Sequence, residues 1–331
     1  MSIFEPYFKS MGIFNSGAGW VPSSSQAITL RKNIVFNTAF LRLIATITVP
    51  DASVRTMKPA GILGIIKKLS FVANETVDMY TNTGLGLAVF NDVDFGAPIL
   101  GTTVDGTVTA TYSFHVPISF MSAGTAGMER ASLDTRWIEK VEGKIVYGTV
   151  DDIFVDALGA TIDVTSAFLT GEGQRDWQPG VLTDAAANAA RKECRIIDYR
   201  EQAYTLNQTE VIATLQKNKN RLVRRVIVVP TVDGAYDASL ITSNLSYKIG
   251  DNTPVTFTNS LSAQRRVSYN RIDASPSHFE VDFLTPGTMG VMLDQSKLSD
   301  DVEVKVKVAP QDGKECKLHI FTETNRRPNI T

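Results

Sequence analysis

The segment Val302-Glu303-Val304-Lys305-Val306-Lys307-Val308 constrains the fold more than any other stretch of the chain. Valines and charges alternate strictly, and successive side chains of an extended strand face opposite ways. A strand therefore puts every valine on one face and every charge on the other, whereas a helix would scatter the valines around its cylinder. The same period of two, less regular, recurs at Leu41–Val49, Leu69–Ala73, Thr107–Ile118, Lys144–Val150, Ile162–Leu169, Val223–Val229, Val255–Thr258, Phe279–Phe283 and Lys317–Thr322. Turn-forming clusters separate these runs: Asn82-Thr83-Gly84, Asp105-Gly106, Asp233-Gly234, Gly250-Asp251-Asn252 and Gln311-Asp312-Gly313. Asp105-Gly106 and Asp312-Gly313, each flanked by strand-like runs, are predicted to close hairpins.

Helix is scarce. The strongest pattern runs from Asp184 to Arg200, with Thr183 or Asp184 as N-cap and an Ala-rich first half. It follows the breaker-rich stretch Gly171–Gly180, so a linker with a helix is predicted over residues 176–200. Shorter helices are predicted around Met128–Lys140 and Ser260–Val267. The 331 residues suffice for about two domains, and the pattern divides them into β-rich blocks at 23–175 and 201–331.

The blocks share a faint internal similarity. Leu43, Ile47, Val49 and Pro50 match Val223, Ile227, Val229 and Pro230 at the same mutual spacing. Leu69-Ser70-Phe71 matches Leu245-Ser246-Tyr247, and Phe114–Ile118 parallels Phe279–Phe283. The matches keep their order, which favours a duplicated β-sandwich.

Composition limits the function. An apolar fraction of 43% is too high for a disordered chain, and 33 basic against 35 acidic residues argue against a predominantly electrostatic nucleic-acid binder. Cys194 and Cys316 could form one disulfide but no framework, as expected of a reducing compartment. Met1–Lys9 lacks the pattern of a secretory signal, and Ala39–Val49, interrupted by Arg42, is too short for a membrane span. Asn-x-Ser/Thr triplets at Asn74, Asn207, Asn244 and Asn329 carry little meaning without such a signal.

No catalytic constellation emerges. His115, His278 and His319 are isolated, without metal-ligand spacing, and are read as structural or surface residues. Gly84-Leu85-Gly86 begins like a dinucleotide fingerprint but lacks its third glycine, and Gly124–Gly127 is read as a loop. Asp92/Asp94, Asp151-Asp152 and Asp300-Asp301 are candidate acid pairs that also suit solvated turns. Asn91–Asp94 offers oxygens to a calcium ion without the rest of a calcium loop. The pairs Arg224-Arg225, Arg265-Arg266 and Arg326-Arg327 suit either a solvated surface or pairing with acids across a subunit contact. No cofactor, metal or catalytic residue is assigned.

At the N-terminus, Ile3, Phe4, Tyr7, Phe8 and Met11 recur at spacings of three and four, predicting one apolar face of a short helix. Residues 1–22 would then be an amphipathic arm, either covering a sandwich edge or docking on a membrane or a neighbouring subunit.

Two consecutive β blocks, a helical connection, an amphipathic arm and no catalytic constellation together resemble the double jelly-roll major capsid proteins of tailless, membrane-containing icosahedral phages (tectivirus, corticovirus and finnlakevirus types). The resemblance covers nearly the whole chain and includes Phe40–Pro50 and Arg221–Pro230, which are similar to the first strand of each roll. It implies an all-β fold of two consecutive jelly rolls with a few short helices. It also implies homotrimers of pseudo-hexagonal outline that tile an icosahedral shell over an internal membrane, made in host cytoplasm and residing in the virion. Partners would be further copies of the chain, that membrane (faced by Ile3, Phe4, Tyr7 and Phe8) and minor vertex proteins, without direct nucleic-acid binding. The near-neutral charge is compatible, because shells that touch a genome commonly carry basic arms. Two other classes share these features: a carbohydrate-binding or glycoside-hydrolysing β-sandwich, and a minor or receptor-binding virion protein. The first needs two acids about 5–10 Å apart in a cleft or a row of exposed aromatics, and Trp20, Trp137 and Trp177 fall in loop-like or helix-like settings.

Overall fold

The structure, a computed structural model, describes residues 4–16, 21–32, 34–50, 55–95, 103–104, 108–120, 132–136, 138–176, 194–205, 209–215, 221–250, 255–257, 278–283, 293–294 and 301–326. The first half contains β1 (Phe4–Ser16), β2 (Ser25–Thr29), β3 (Ile34–Val49), β4 (Arg55–Thr56), β5 (Ile66–Ala73), β6 (Val77–Asn82) and α1 (Gly84–Phe95). These are followed by β7 (Thr103–Val104), β8 (Val108–Ser119), β9 (Leu133–Asp134), β10 (Val141–Tyr147) and β11 (Thr161–Asp176). The second half contains β12 (Cys194–Tyr204), β13 (Glu210–Leu215), β14 (Arg221–Val232), β15 (Ala235–Tyr236) and β16 (Leu245–Ile249). It ends with β17 (Val255–Phe257), β18 (Phe279–Asp282), β19 (Leu293–Asp294), β20 (Val302–Lys307) and β21 (Cys316–Arg326).

Each half is a sandwich of two antiparallel sheets with one shared order. In the first, the sheets run β1-β11-β3-β8 and β2-β10-β5-β6; in the second, β12-β21-β14-β18 and β13-β20-β16-β17. Counting only these eight strands in each half, both orders read 1-8-3-6 and 2-7-4-5. Consecutive strands mostly change sheet, which is the jelly-roll arrangement, and the chain is a double jelly roll. Each of the ten alternating runs overlaps a strand; Lys144–Val150 runs past β10 into a 3₁₀ turn at Val150, and Thr107 and Thr258 lie outside the described residues. The valines of β20 turn inward, with Val302, Val304, Val306 and Val308 buried.

The internal matches fall on corresponding strands: β3 and β14, β5 and β16, β8 and β18. Residue-level register is not conserved, since Leu43 pairs with Phe114 whereas Val223 pairs with Leu293 and Phe279 with Val228. Phe40–Pro50 and Arg221–Pro230 belong to the third strand of each roll, not the first.

Several local expectations are corrected. Phe4, Tyr7 and Phe8 lie in β1, which pairs with β11 from Phe4↔Asp176 to Ser16↔Ser166; Ile3 lies outside the described residues. The ladder to β11 satisfies backbone groups that a helix would satisfy internally. Of the helix expected over Asp184–Arg200, the part from Cys194 is strand β12, paired along its length with β21; residues 184–193 lie outside the described set. Within Met128–Lys140 the described structure is the short strand β9, and Ser260–Val267 is outside.

The Gln311–Gly313 turn exists, with Lys314 N donating to Gln311 O at 3.3 Å, but it joins strands of two different sheets and so closes no hairpin. Tight β-turns sit instead at Asn74-Glu75 (φ 47° and 66°), between β5 and β6, and at Asp233-Gly234 (φ 48° and 78°), between β14 and β15. Asp105-Gly106 is outside the described residues. Cys194 and Cys316 lie at opposite ends of the β12–β21 ladder, about 34 Å apart at 3.4 Å per residue, which excludes a disulfide; Cys316 is free and buried.

Candidate functional site: the contact between the two rolls

One face of the β12-β21-β14-β18 sheet covers the second roll's own core, with Val226, Val228, Leu318 and Ile320 buried there. The opposite face meets the first roll. Ile197, Ile227, Val229 and Phe321 join the first roll's core, so this part of the contact is buried like a domain interior.

Helix α1 makes that contact. Its sequence, GLGLAVFNDVDF, has two glycines and no helical stripe, yet Leu87, Ala88, Val89, Phe90 and Val93 are all buried. A helix enclosed on all sides needs no polar face. The Thr83 side chain caps its start, accepting from Gly86 N at 3.1 Å. The glycines permit close approach: a Cβ on Gly84 would lie 1.8 Å from Leu63 O, and one on Gly86 1.8 Å from Asn82 Oδ1 and 3.0 Å from the Phe321 ring. The dinucleotide-like glycines therefore serve packing.

The end of α1 delivers Asp94 to two arginines of the second roll. Arg195 Nη2 donates to Asp94 Oδ2 at 2.7 Å, and Arg225 Nη2 to Asp94 Oδ1 at 2.5 Å. Arg195 Nε lies 2.8 Å from Glu323 Oε1, Arg225 Nε contacts Glu323 Oε2, and Arg225 Nη1 is 3.6 Å from Glu280 Oε1. Arg195 Nη1 also donates to Ser119 O of β8 at 2.9 Å. The two guanidinium carbons sit 5.0 and 5.1 Å from the centre of the Phe90 ring. The side chains of Arg195, Arg225, Asp94 and Glu323 are each at most 2% exposed.

Strand register explains how the sequence builds this cluster. Arg225 stands opposite Glu323 in the β14–β21 ladder, and the bulge between Val223 and Arg225 inserts Arg224 as an unpaired extra residue. Burial alone would push the Asp94 and Glu323 carboxyls up. The facing charges of Arg195, Arg225 and Arg224 overcome it and hold both well below the usual carboxylate range. The same pairing raises Arg195 and Arg225 against the downward effect of burial.

At the other end of α1 from the cluster lies a cleft of about 420 Å³, bordered by Lys58, Lys67 and Asp152 of the first roll and Tyr199, Lys317 and His319 of the second. Tyr199 Oη donates to Glu201 Oε2 at 3.1 Å, so at 2.9 Å it must accept from His319 Nδ1; His319 Nε2 then accepts from Thr231 Oγ1 at 3.1 Å. Burial lowers His319 to about 4, leaving it neutral at pH 7. Lys317 Nζ bridges Glu201 (3.1 Å) and Glu315 (2.8 Å). Burial would raise Glu201, but hydrogen bonds from Lys317 and Tyr199 and the Lys317 charge hold it low, the opposite of what a glycosidase general acid needs.

The other candidates disperse. Asp92 lies 3.6 Å from His278 on a buried helix, so Asn91–Asp94 is no calcium loop. Asp152 caps its own 3₁₀ turn by accepting from Thr149 N at 2.7 Å. His115 is exposed on β8. Among the described residues no group of three or more His, Cys, Asp or Glu could hold a metal. Arg224 and Arg225 are wholly buried, and Arg225 pairs with an acid across a contact inside one chain, not on a solvated surface. Asp300, Gly124–Gly127, Arg265-Arg266, Arg327 and all three tryptophans lie outside the described residues.

No protein-family model matches the chain, and no curated protein matches it in sequence. Solved structures do match. The crystal structure of the major capsid protein of Sulfolobus turreted icosahedral virus aligns with TM-score 0.68 at 13% identity, over 98% of this chain and 97% of that one. The major capsid protein P2 of bacteriophage PM2 aligns with TM-score 0.60 at 12% identity, over 97% of each chain. The capsid of PBCV-1 aligns with TM-score 0.61 at 9% identity, over 98% and 94%. End to end, the chain follows the double jelly-roll fold of these viral major capsid proteins.

Proposed function

We propose that the chain is a major capsid protein, a structural component of a virion that associates with further copies of itself as homotrimers tiling an icosahedral shell. The observation that carries this reading is end-to-end correspondence with capsid proteins of nearly the same length, 98% of one chain against 97% of the other. A second support is how the polar groups are used. The charged side chains between the rolls are spent on one another and on holding the rolls together, which suits a rigid building block.

Light scattering of the purified full chain, followed by electron microscopy, tests the proposal. Trimers that form hexagonal arrays or shells support it. A persistent monomer at high concentration, or one that hydrolyses glycans, overturns it. The lipid-facing role of Ile3, Phe4, Tyr7 and Phe8 belongs to the same proposal. Because β1 is a ladder strand, co-sedimentation of the intact chain with lipid vesicles is a cleaner test than deletion of the segment. Absence of binding removes the role.

A further inference from the structure

The cleft at the start of α1, about 420 Å³, is within the size range of small-molecule sites. Both rolls build it, so it exists only while they are docked. Its charges balance: Lys58, Lys67 and Asp152 line it from the first roll, and Glu201, Glu315 and Lys317 from the second. They are also already engaged. Lys67 Nζ lies 3.5 Å from Asp152 Oδ2, Lys317 bridges Glu201 and Glu315, and Lys58 Nζ donates to Asp151 O at 2.7 Å. An ionic ligand would have to break such pairs. A neutral ligand rich in hydroxyls would not, because an ammonium offers several donors, a carboxylate several acceptor sites, and a hydroxyl both donates and accepts.

The second roll adds an aromatic platform. Tyr199 is 39% exposed, and it alone of the Phe, Tyr and Trp side chains described is exposed. Its ring packs on Phe321 at 5.0 Å and lies parallel to His319 at 6.1 Å between centroids, while its hydroxyl is held between Glu201 and His319. The ring is therefore fixed before any ligand arrives, and it offers an apolar π surface beside donors and acceptors. A pyranose matches that combination, with C–H groups forming an apolar face and hydroxyls a polar rim. We propose that the cleft is a carbohydrate-binding site for one neutral hexopyranose unit, stacked on Tyr199 with its hydroxyls on the Lys317–Glu201 and Lys67–Asp152 pairs. The site binds without cleaving, since Glu201 stays ionised at neutral pH and has no proton to give a leaving group. This adds recognition of a glycan to the capsid reading and does not depend on assembly.

Ligand-observed NMR and titration calorimetry of the full chain with methyl glucoside, methyl galactoside and methyl mannoside (all pyranosides) test the site. Mannitol serves as an acyclic polyol without a ring face, and inorganic phosphate as the ionic alternative. Expected are saturable binding of at least one pyranoside at millimolar concentration, weaker binding of mannitol, and a loss of about tenfold in Tyr199→Ala. Lys67→Ala, at a side chain 52% exposed, keeps its native circular dichroism spectrum and weakens binding about threefold, so the site stays testable even if Tyr199→Ala misfolds. The site is overturned if no pyranoside binds the wild type, if either folded variant binds as the wild type does, or if mannitol binds as tightly. Phosphate binding in place of the pyranosides overturns the sugar assignment in favour of an anion. Light scattering of the same samples reads trimer formation separately, so failure of the site and failure of the capsid reading are distinguishable.

Discussion

The outer face of β3 and β11 in the first roll and that of β14 and β21 in the second are close in composition and opposite in environment. Arg42 is exposed, whereas Arg225 is fully buried and needs Asp94, Glu323 and Glu280 around it. A sandwich face can carry an arginine cheaply in solvent. The same residue under a neighbouring domain demands acids placed within hydrogen-bonding reach, because an unpaired buried charge is costly. Helix α1 supplies one of those acids from the other roll, which ties the burial of the second roll's arginines to correct docking of the first.

The largest expected effect breaks that tie. Asp94→Ala leaves Arg195 and Arg225 facing each other with one carboxylate removed and should destabilise the chain by about 4 kcal/mol in denaturant unfolding; a loss below about 1 kcal/mol would mean the cluster is not what holds the rolls. Phe321→Ala, which empties the space against Phe90 and Gly86, should cost about 3 kcal/mol. Phe168→Ala, at the half-buried position on the first roll's face, should cost clearly less, and equal losses would erase the contrast.

Acidification sharpens the comparison from another side. His319 titrates at about 4 in the fold against 6.5 when free, so the unfolded chain binds its proton first as pH falls. Stability contributed by neutral His319 is whole above pH 6.5, declines as pH drops toward 4 and levels off below. The loss is at most about 3 kcal/mol. Asp94 and Glu323, held below their free values of 3.8 and 4.5, keep their contribution until pH nears those values and lose the rest in stronger acid. His319→Gln should flatten the decline between pH 6.5 and 4; an unchanged slope would assign it to other groups. The smallest effect is Arg42→Ala, expected to change the stability of the chain by less than about 0.5 kcal/mol in denaturant unfolding, because the residue is exposed.

Strands were the legible part of the sequence, because a face buried on one side and wet on the other writes its period directly, as in Val302–Val308. The charged contact was not. Arg224-Arg225 and Asp92/Asp94 stood out as residue types, but Arg225 and Asp94 meet across 131 positions of chain, and nothing local marks such a pair. Helix α1 escaped for a related reason. Its amphipathic signal vanished because it is buried on every side, and its glycines read as a turn or a nucleotide loop. The N-terminal aromatics misled in the opposite sense, since a spacing of three and four residues is only a helix if no strand stands ready to pair.

Alternating hydrophobicity, duplicated in order along the chain, was enough to specify two β-sandwiches, since each strand's pattern is imposed by its own pleat and its own core. Which faces are covered, which charges are paired and which glycines touch backbone depended on how one sandwich lies against the other. Those are contacts between residues far apart in the chain, and only the assembled fold brings them within range.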